Sequence, residues 1–246
     1  MRLTRVHVDA PLAANTAVTL PEGAAGHLTR VLRLGEGDPC ILFDGRGGEY
    51  PARIASVSKR AVVVETGAHD PVERESPLRV LLLQGLARGE RMDLIVQKAT
   101  ELGVAALRPV HTLHSGVKLD ERQAERKLEH WRAVAIGACE QCQRNRVPEI
   151  LPPLSLDAAL QAAPQGERFT LSLANDMRPT AVANAADTWI TLLIGPEGGL
   201  ADAEEQLAAA AGFAPLSLGP RVLRTETAAI AALAVLGALR GDLGRR

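Results

Sequence analysis

Hydrophobic and polar positions along the chain fall into two textures. Up to about residue 70 the apolar runs are short and of strand composition: Arg5-Val6-His7-Val8, Pro39-Cys40-Ile41-Leu42-Phe43 and Ala61-Val62-Val63-Val64-Glu65. Asp44-Gly45 and Gly47-Gly48 between them supply the positive φ angles of tight turns, which predicts a hairpin over Leu42 to Ile54. Residues 1–70 therefore read as a small β domain, and the polar, proline-bounded stretch 71–77 as a linker.

From residue 78 onward, apolar strands alternate with helical patterns. Arg79 to Gln84 reads as a buried strand, and Met92, Ile95, Val96, Ala99 and Leu102 recur at helical spacing before Gly103 stops the helix. Val104 to Val110 predicts the next strand. Ala124, Leu128, Trp131, Ala135, Ala138 and Cys142 mark one face of a long helix. Three further runs, Phe169–Ala174, Thr191–Ile194 and Leu216–Leu218, each end at a loop of glycine or small polar residues. Asp202 with Glu205 three residues on predicts a capping-box start for a helix that Gly212 closes, and Thr225–Leu239 forms a last, almost wholly apolar helix. Strands alternating with helices over 78–246 predict an α/β domain with a mainly parallel sheet. Its ligands belong beyond the carboxyl ends of the strands, in the loops after residues 194 and 218.

Composition narrows the class. The 246 residues carry a net charge of -1, 46% hydrophobic and 23% charged residues, which excludes a disordered chain or a collagen-like repeat. No run approaches the roughly 18 to 20 apolar residues of a membrane span, and Met1 to His7 leads into no signal-peptide core, so a cytoplasmic location is expected. Cys40, Cys139 and Cys142 fit neither a disulfide framework nor a four-cysteine zinc site, and no metal is expected. The near-neutral charge excludes bulk electrostatic binding to nucleic acid, and aromatics at 2% exclude a stacking platform for single strands. Residues 71–150 are nonetheless slightly basic, 13 against 11, whereas 151–246 hold 7 basic and 10 acidic residues.

Two loops carry candidate chemistry. Gly195-Pro196-Glu197-Gly198-Gly199-Leu200 joins a buried strand to a helix, and its glycines let the backbone approach a ligand. Its spacing matches neither the dinucleotide fingerprint nor the phosphate loop of nucleotide hydrolases. Leu218-Gly219-Pro220-Arg221-Val222-Leu223-Arg224-Thr225-Glu226-Thr227-Ala228 again joins strand to helix and crowds charge beside an apolar helix. That arrangement suits a small-molecule pocket, with a structural Arg-Glu clamp as the competing reading.

These loops, with Gln97-Lys98-Ala99-Thr100-Glu101-Leu102-Gly103, Glu140-Gln141, Arg144 and Val147-Pro148, resemble in order and over nearly the whole chain the RsmE family. That family comprises 16S ribosomal RNA uridine N3-methyltransferases of the SPOUT superfamily. The resemblance implies a PUA-like β-barrel for RNA, followed by an α/β domain tied in a deep C-terminal trefoil knot. It further implies S-adenosylmethionine as cofactor, a homodimer, and 16S rRNA within the assembled small subunit as partner. On this resemblance Leu173, Gly195, Pro196, Glu197, Gly198, Gly199, Leu218, Gly219, Val222, Leu223 and Thr225 would hold the cofactor. Arg224 and Glu226 are the candidate catalytic pair: an arginine to stabilise the uracil anion and a base for the N3 proton. A second reading has Glu226 capping the last helix or pairing with Arg224. Arg2, Arg5, Arg30 and Arg33, with Lys118, Arg144 and Arg146, are the expected phosphate contacts. The sequence departs from the family pattern at Cys142, where a serine is expected, and at His114, where arginine is common.

Three other readings compete with it: a related methyltransferase acting on a tRNA base or a ribose 2'-OH, a nicotinamide enzyme, and a non-catalytic RNA-binding module. The second lacks the glycine fingerprint with its acidic partner, and the intact glycine loops speak against the third.

Overall fold

The structure, a computed structural model, describes residues 3–58, 61–172 and 188–244. The chain divides into two compact units, residues 1–75 with 136–147, and residues 76–135 with 148–246.

In the first unit, β1 (Thr4–His7), β2 (Ala17–Thr19), a short α1 (Glu22–Gly26) running into a π-helical turn at His27–Val31, β3 (Pro39–Phe43), β4 (Tyr50–Val57) and β5 (Val62–Thr66) follow in order. The strands form a five-stranded sheet in the order β1-β3-β4-β5-β2, with β1 parallel to β3 and the other pairs antiparallel. The expected hairpin is present: Leu42 pairs with Tyr50, and Gly45, Gly47 and Gly48 all have positive φ. Val6, Val8, Leu28, Cys40, Leu42, Ile54 and Val64 fill the core, each no more than 1% exposed.

The unit also holds a buried polar network. The Arg5 guanidinium donates to the Glu49 carboxylate and to Asn145 Oδ1, and reaches the Arg144 carbonyl at 3.2 Å. Arg74 adds a second bond to Glu49 at 3.0 Å, and Arg144 pairs with Glu75 at 2.6 Å. Asn145 Nδ2 donates to the Val72 carbonyl at 2.7 Å. This network explains two differences from the expected partition. Residues 71–75 are not a free linker, because Val72, Arg74 and Glu75 are bonded into the first unit. Residues 136–147, expected within a continuous domain 78–246, belong to the first unit for the same reason.

In the second unit, β6 (Arg79–Gly85), α2 (Glu90–Glu101), β7 (Ala106–His111), α3 (Glu121–Cys142, in this unit through residue 135), β8 (Glu149–Ile150), β9 (Leu154–Ser155), α4 (Leu156–Gln161), β10 (Gly166–Leu171), β11 (Trp189–Ile194), α5 (Asp202–Ala210), β12 (Ala214–Leu216) and α6 (Thr225–Leu239) follow in order and make the expected α/β domain, in which β8 and β9 follow one another without a helix between them. The sheet is parallel throughout, in the order β12-β10-β11-β6-β7-β8, with β9 also pairing β7. Its central strands are apolar on both faces: Leu82, Leu83, Leu192 and Leu193 are fully buried, the pattern of a sheet covered by helices on either side. The last helix has the bounds its apolar run predicts.

The start of α5 corrects an expectation. Its N-cap is Ala201, so Asp202 is the first helical residue and the reciprocal partner is Glu204, not Glu205. Glu204 accepts from the Ala201 N–H at 3.0 Å, while alanine offers no side-chain acceptor in return, so only half a capping box forms. The second Glu204 oxygen accepts from the Leu113 N–H at 2.8 Å, which ties the turn after β7 to α5.

Candidate functional site

Because β10, β11 and β12 run parallel, their carboxyl ends open on the same sheet edge. A cleft of about 500 Å³ lies there, within the range of small-molecule sites. Leu171, Ile194, Leu216, Leu218 and Ala228 give it apolar walls, and Gly195 to Leu200 with Gly219, Arg221, Val222, Leu223 and Thr225 form its rim; Arg224 and Glu226 are outside this lining. Of the residues expected to hold a cofactor, Gly195, Pro196, Glu197, Gly198, Gly199, Leu218, Gly219, Val222, Leu223 and Thr225 all line this cleft. Leu173 lies outside the described residues.

The glycine loop is shaped by close approach. A Cβ on Gly195 would lie 3.0 Å from Gly199 C and Leu200 N, and one on Gly85 would lie 2.5 Å from Pro196 N. Gly199 has φ +71 and donates its N–H to the Pro196 carbonyl at 2.9 Å, which closes the turn. Below the loop, Gln84 Nε2 donates to Thr225 Oγ1 at 2.9 Å, and that hydroxyl donates to the Gly195 carbonyl at 2.7 Å. This short relay joins the end of β6, the first residue of α6 and the glycine loop. Gln84 is fully buried, and its Oε1 has no hydrogen-bond partner among the described residues.

Glu197 anchors the loop from the other side. It accepts from the Arg88 N–H at 2.9 Å and from Arg91 Nη1 at 2.8 Å. Burial pushes the Glu197 carboxyl up, but the Arg88 amide and the Arg91 guanidinium outweigh it and hold its pKa below the ordinary carboxylate range. Arg91 Nε also lies 3.8 Å from Glu226 Oε1, so one guanidinium faces both carboxylates. Glu226 Oε2 is buried with no hydrogen-bond partner among the described residues. Arg224 is exposed and stands at the N-cap of α6. The ion pair recorded for Glu226 is thus with Arg91, where the clamp reading had Arg224. His114 Nδ1 lies 3.0 Å from the Gly198 carbonyl.

Gln84, Arg88 and Arg91 are site residues that sequence reasoning missed. Gln84 carried a signal, as the lone polar residue near the end of an apolar strand. Arg91 carried none, since its carboxylate partners are 106 and 135 residues distant.

The expected phosphate contacts separate by burial. Arg30 and Arg33 are exposed on the first unit, in and just after the π-helical turn, and Lys118 is exposed on the second. The Arg146 side chain is 57% exposed, with Glu73 at 3.6 Å. Arg5 and Arg144 are corrected: their side chains are 2% and 6% exposed and are committed to Glu49 and Glu75. A guanidinium buried and paired in this way has no free face for a phosphate. Arg2 lies outside the described residues.

The comparisons with known proteins agree with this geometry. The family model described as RNA methyltransferase domain matches residues 74–237, and the model described as RNA methyltransferase PUA domain matches residues 20–66. The two units therefore include an α/β methyltransferase domain and a PUA-like domain. Ribosomal RNA small subunit methyltransferase E of Bacillus subtilis is 34% identical over 88% of this chain and 89% of its own. A methyltransferase from Legionella pneumophila, solved with bound SAM, is 40% identical with a TM-score of 0.95, covering 98% of this chain and 100% of its own. A ribosomal RNA small subunit methyltransferase E from Neisseria gonorrhoeae, solved with S-adenosyl methionine, is 35% identical with a TM-score of 0.91, covering 98% and 99%. The chain belongs to the ribosomal RNA small subunit methyltransferase E family.

Proposed function

We propose that the chain transfers a methyl group from S-adenosylmethionine to N3 of one uridine in 16S rRNA. The observation that carries this reading is the cleft itself, formed by two family motifs at the carboxyl ends of parallel strands. Its size, apolar walls and exposed loop backbone suit an adenosyl ligand, and Glu197 and Glu205 on its rim suit the positive charge of a sulfonium. The Gly195–Gly199 loop, with Leu218, Gly219, Val222, Leu223, Thr225 and Leu173, would hold the cofactor. When bound, it supplies an electrophilic methyl group.

The remaining task falls to the chain's own side chains: to align the uracil and ease loss of its N3 proton. Arg224, exposed beside the cleft loop, stabilises the negative charge that develops on the uracil oxygens. Glu226 accepts the N3 proton through a carboxylate oxygen that has no other partner among the described residues, with Arg91 fixing its orientation. Arg224→Ala should lower kcat by about 100- to 1000-fold with S-adenosylmethionine affinity nearly unchanged. A collapse of cofactor affinity in a calorimetric titration would instead place Arg224 in the cofactor pocket.

The wider reading is a cytoplasmic homodimer with a barrel-like first domain and a trefoil knot around the cofactor, acting on the assembled small subunit. Mass spectrometry of ribosomal RNA from cells with and without the gene, followed by addition of the purified protein, tests the function. Loss and restoration of one N3-methyluridine in the small-subunit RNA is expected. An unchanged modification profile overturns the reading.

A further inference from the structure

The notable charged surface outside the cleft lies on α3. Arg122, Arg126 and His130 recur every four residues and form one row along the helix, with Lys127 beside it. Glu121, Glu125 and Glu129 form a separate row, so the exposed part of the helix is divided into a basic and an acidic flank. Along the basic flank runs a groove of about 470 Å³, lined by Lys118, Gln123, Arg126, Lys127 and His130 among others.

Three observations distinguish this flank from an ordinary solvated face. Arg122 with Glu125 and Arg126 with Glu129 stand at the spacing of helix ion pairs, yet among the described residues no ion pair forms within 4.0 Å at Lys118, Arg122, Arg126 or Lys127. The acidic group that does face it is Asp93 of α2, which accepts from His130 at 2.8 Å and from Trp131 Nε1 at 3.1 Å. Second, Trp131 is buried, so its indole is not offered to bases, and the one ring on the flank, His130, is held by Asp93. Third, it is continuous in sequence with the cleft. His114 touches Gly198 on the cleft rim, and Lys118 follows four residues later, within about 14 Å of extended chain.

We propose that Lys118, Arg122, Arg126 and Lys127 form a phosphate track that carries the substrate RNA strand away from the cleft. The inference rests on the RNA-methyltransferase reading and deepens it. Open cations fit the phosphate backbone, so the track fixes register and orientation and adds salt-dependent affinity.

The test uses the full-length protein, a 16S rRNA transcript and purified small subunits. In the variant Arg122→Gln/Arg126→Gln/Lys127→Gln, the slope of log affinity against log salt should fall in magnitude by about two to three. The KM for RNA should rise about tenfold at moderate salt, with S-adenosylmethionine affinity and Tm unchanged. Arg132→Gln removes the same charge from the acidic side of α3 and serves as the control. Its effect should be smaller than that of Arg126→Gln, and equal effects would reduce the track to net charge and overturn it. If the parent protein methylates RNA but the triple variant keeps its salt slope and KM, the track is wrong and the function stands. If the parent methylates neither substrate, the function falls and the track falls with it.

Discussion

In the first unit the buried Arg5 and Arg144 are held by the carboxylates of Glu49 and Glu75, whereas the two polar residues buried beneath the glycine loop of the second, Gln84 and Thr225, are neutral. The difference separates two ways of making polar residues structural. A buried ion network specifies which segments join, because each charge left alone is costly, and here it binds residues 70–75 and 136–147 to the sheet of the first unit. A neutral relay positions a loop without adding net charge under a site that must receive a charged ligand. Sequence patterns do not distinguish these uses from surface polarity.

The largest effect that should separate the two is removal of one buried ion. Glu49→Ala leaves Arg5 uncompensated and should cost about 3–5 kcal/mol by denaturant unfolding of the first unit. A cost below 1 kcal/mol would mean the network is not a structural element. Breaking the neutral relay should cost less. Thr225→Val deprives Gln84 Nε2 and the Gly195 carbonyl of a partner, for about 1–3 kcal/mol, and should weaken S-adenosylmethionine binding, with Thr225→Ser restoring both. If valine binds the cofactor as tightly as serine, the relay does not shape the loop.

Acid should then discriminate between the units. Burial, opposed by Asp9, Glu140 and Asp44, lowers the pKa of His7 below its ordinary value of about 6.5. Its contribution is therefore complete above that value and is lost as pH falls through it toward the folded pKa. At Glu49, burial raises the carboxyl, but Arg5 and Arg74 hold it lower than usual, so a further loss follows below about pH 4. Glu197 acts in the second unit only in that lower window. The protection factors of the β1 amides should fall between pH 7 and pH 5 in the wild type but not in His7→Phe, while those of β6 and β11 hold. An equal loss of protection in both units would remove the distinction. The smallest effect concerns the thiols. Burial pushes Cys40 up to about 11 and, as the leading cause, Cys139 up to about 12, so both should resist alkylation near neutral pH in the folded protein. Rapid labelling of either would show that its core opens readily.

The second unit was the more legible of the two. β6, β7, β10, β11, the last helix and both cleft loops follow from local apolar runs and glycine spacing, whereas β8, β9 and α4 are too short to show such a run and β12 ends at Leu216, where the run Leu216–Leu218 begins. The first unit hides its organisation in distant partners. Arg5 and Arg30 both stand among apolar neighbours, but Arg5 meets Glu49 and Asn145, 44 and 140 residues away, and is buried, while Arg30 is exposed. Residues 136–142 continue the apolar period of α3, so no change of pattern marks the point at which the helix passes to the first unit. Within the site, Gln84 was visible as a polar interruption. The attachment of Arg91 to both Glu197 and Glu226 was not, since long-range charge pairing has no local signature.

The strand order has a consequence for how the protein is made. β7 follows β6 closely and can pair with it early, but the other neighbour of β6 is β11, which brings Leu81 beside Thr191. Until the ribosome has released that later segment, the apolar β6 keeps an unpaired edge, the kind of surface that recruits chaperones or aggregates. β10, which pairs with β11 and β12, has both neighbours still to come when it emerges. The cleft is thus the last part of the second unit to assemble, and a chain truncated before α6 would fold around an unfinished site.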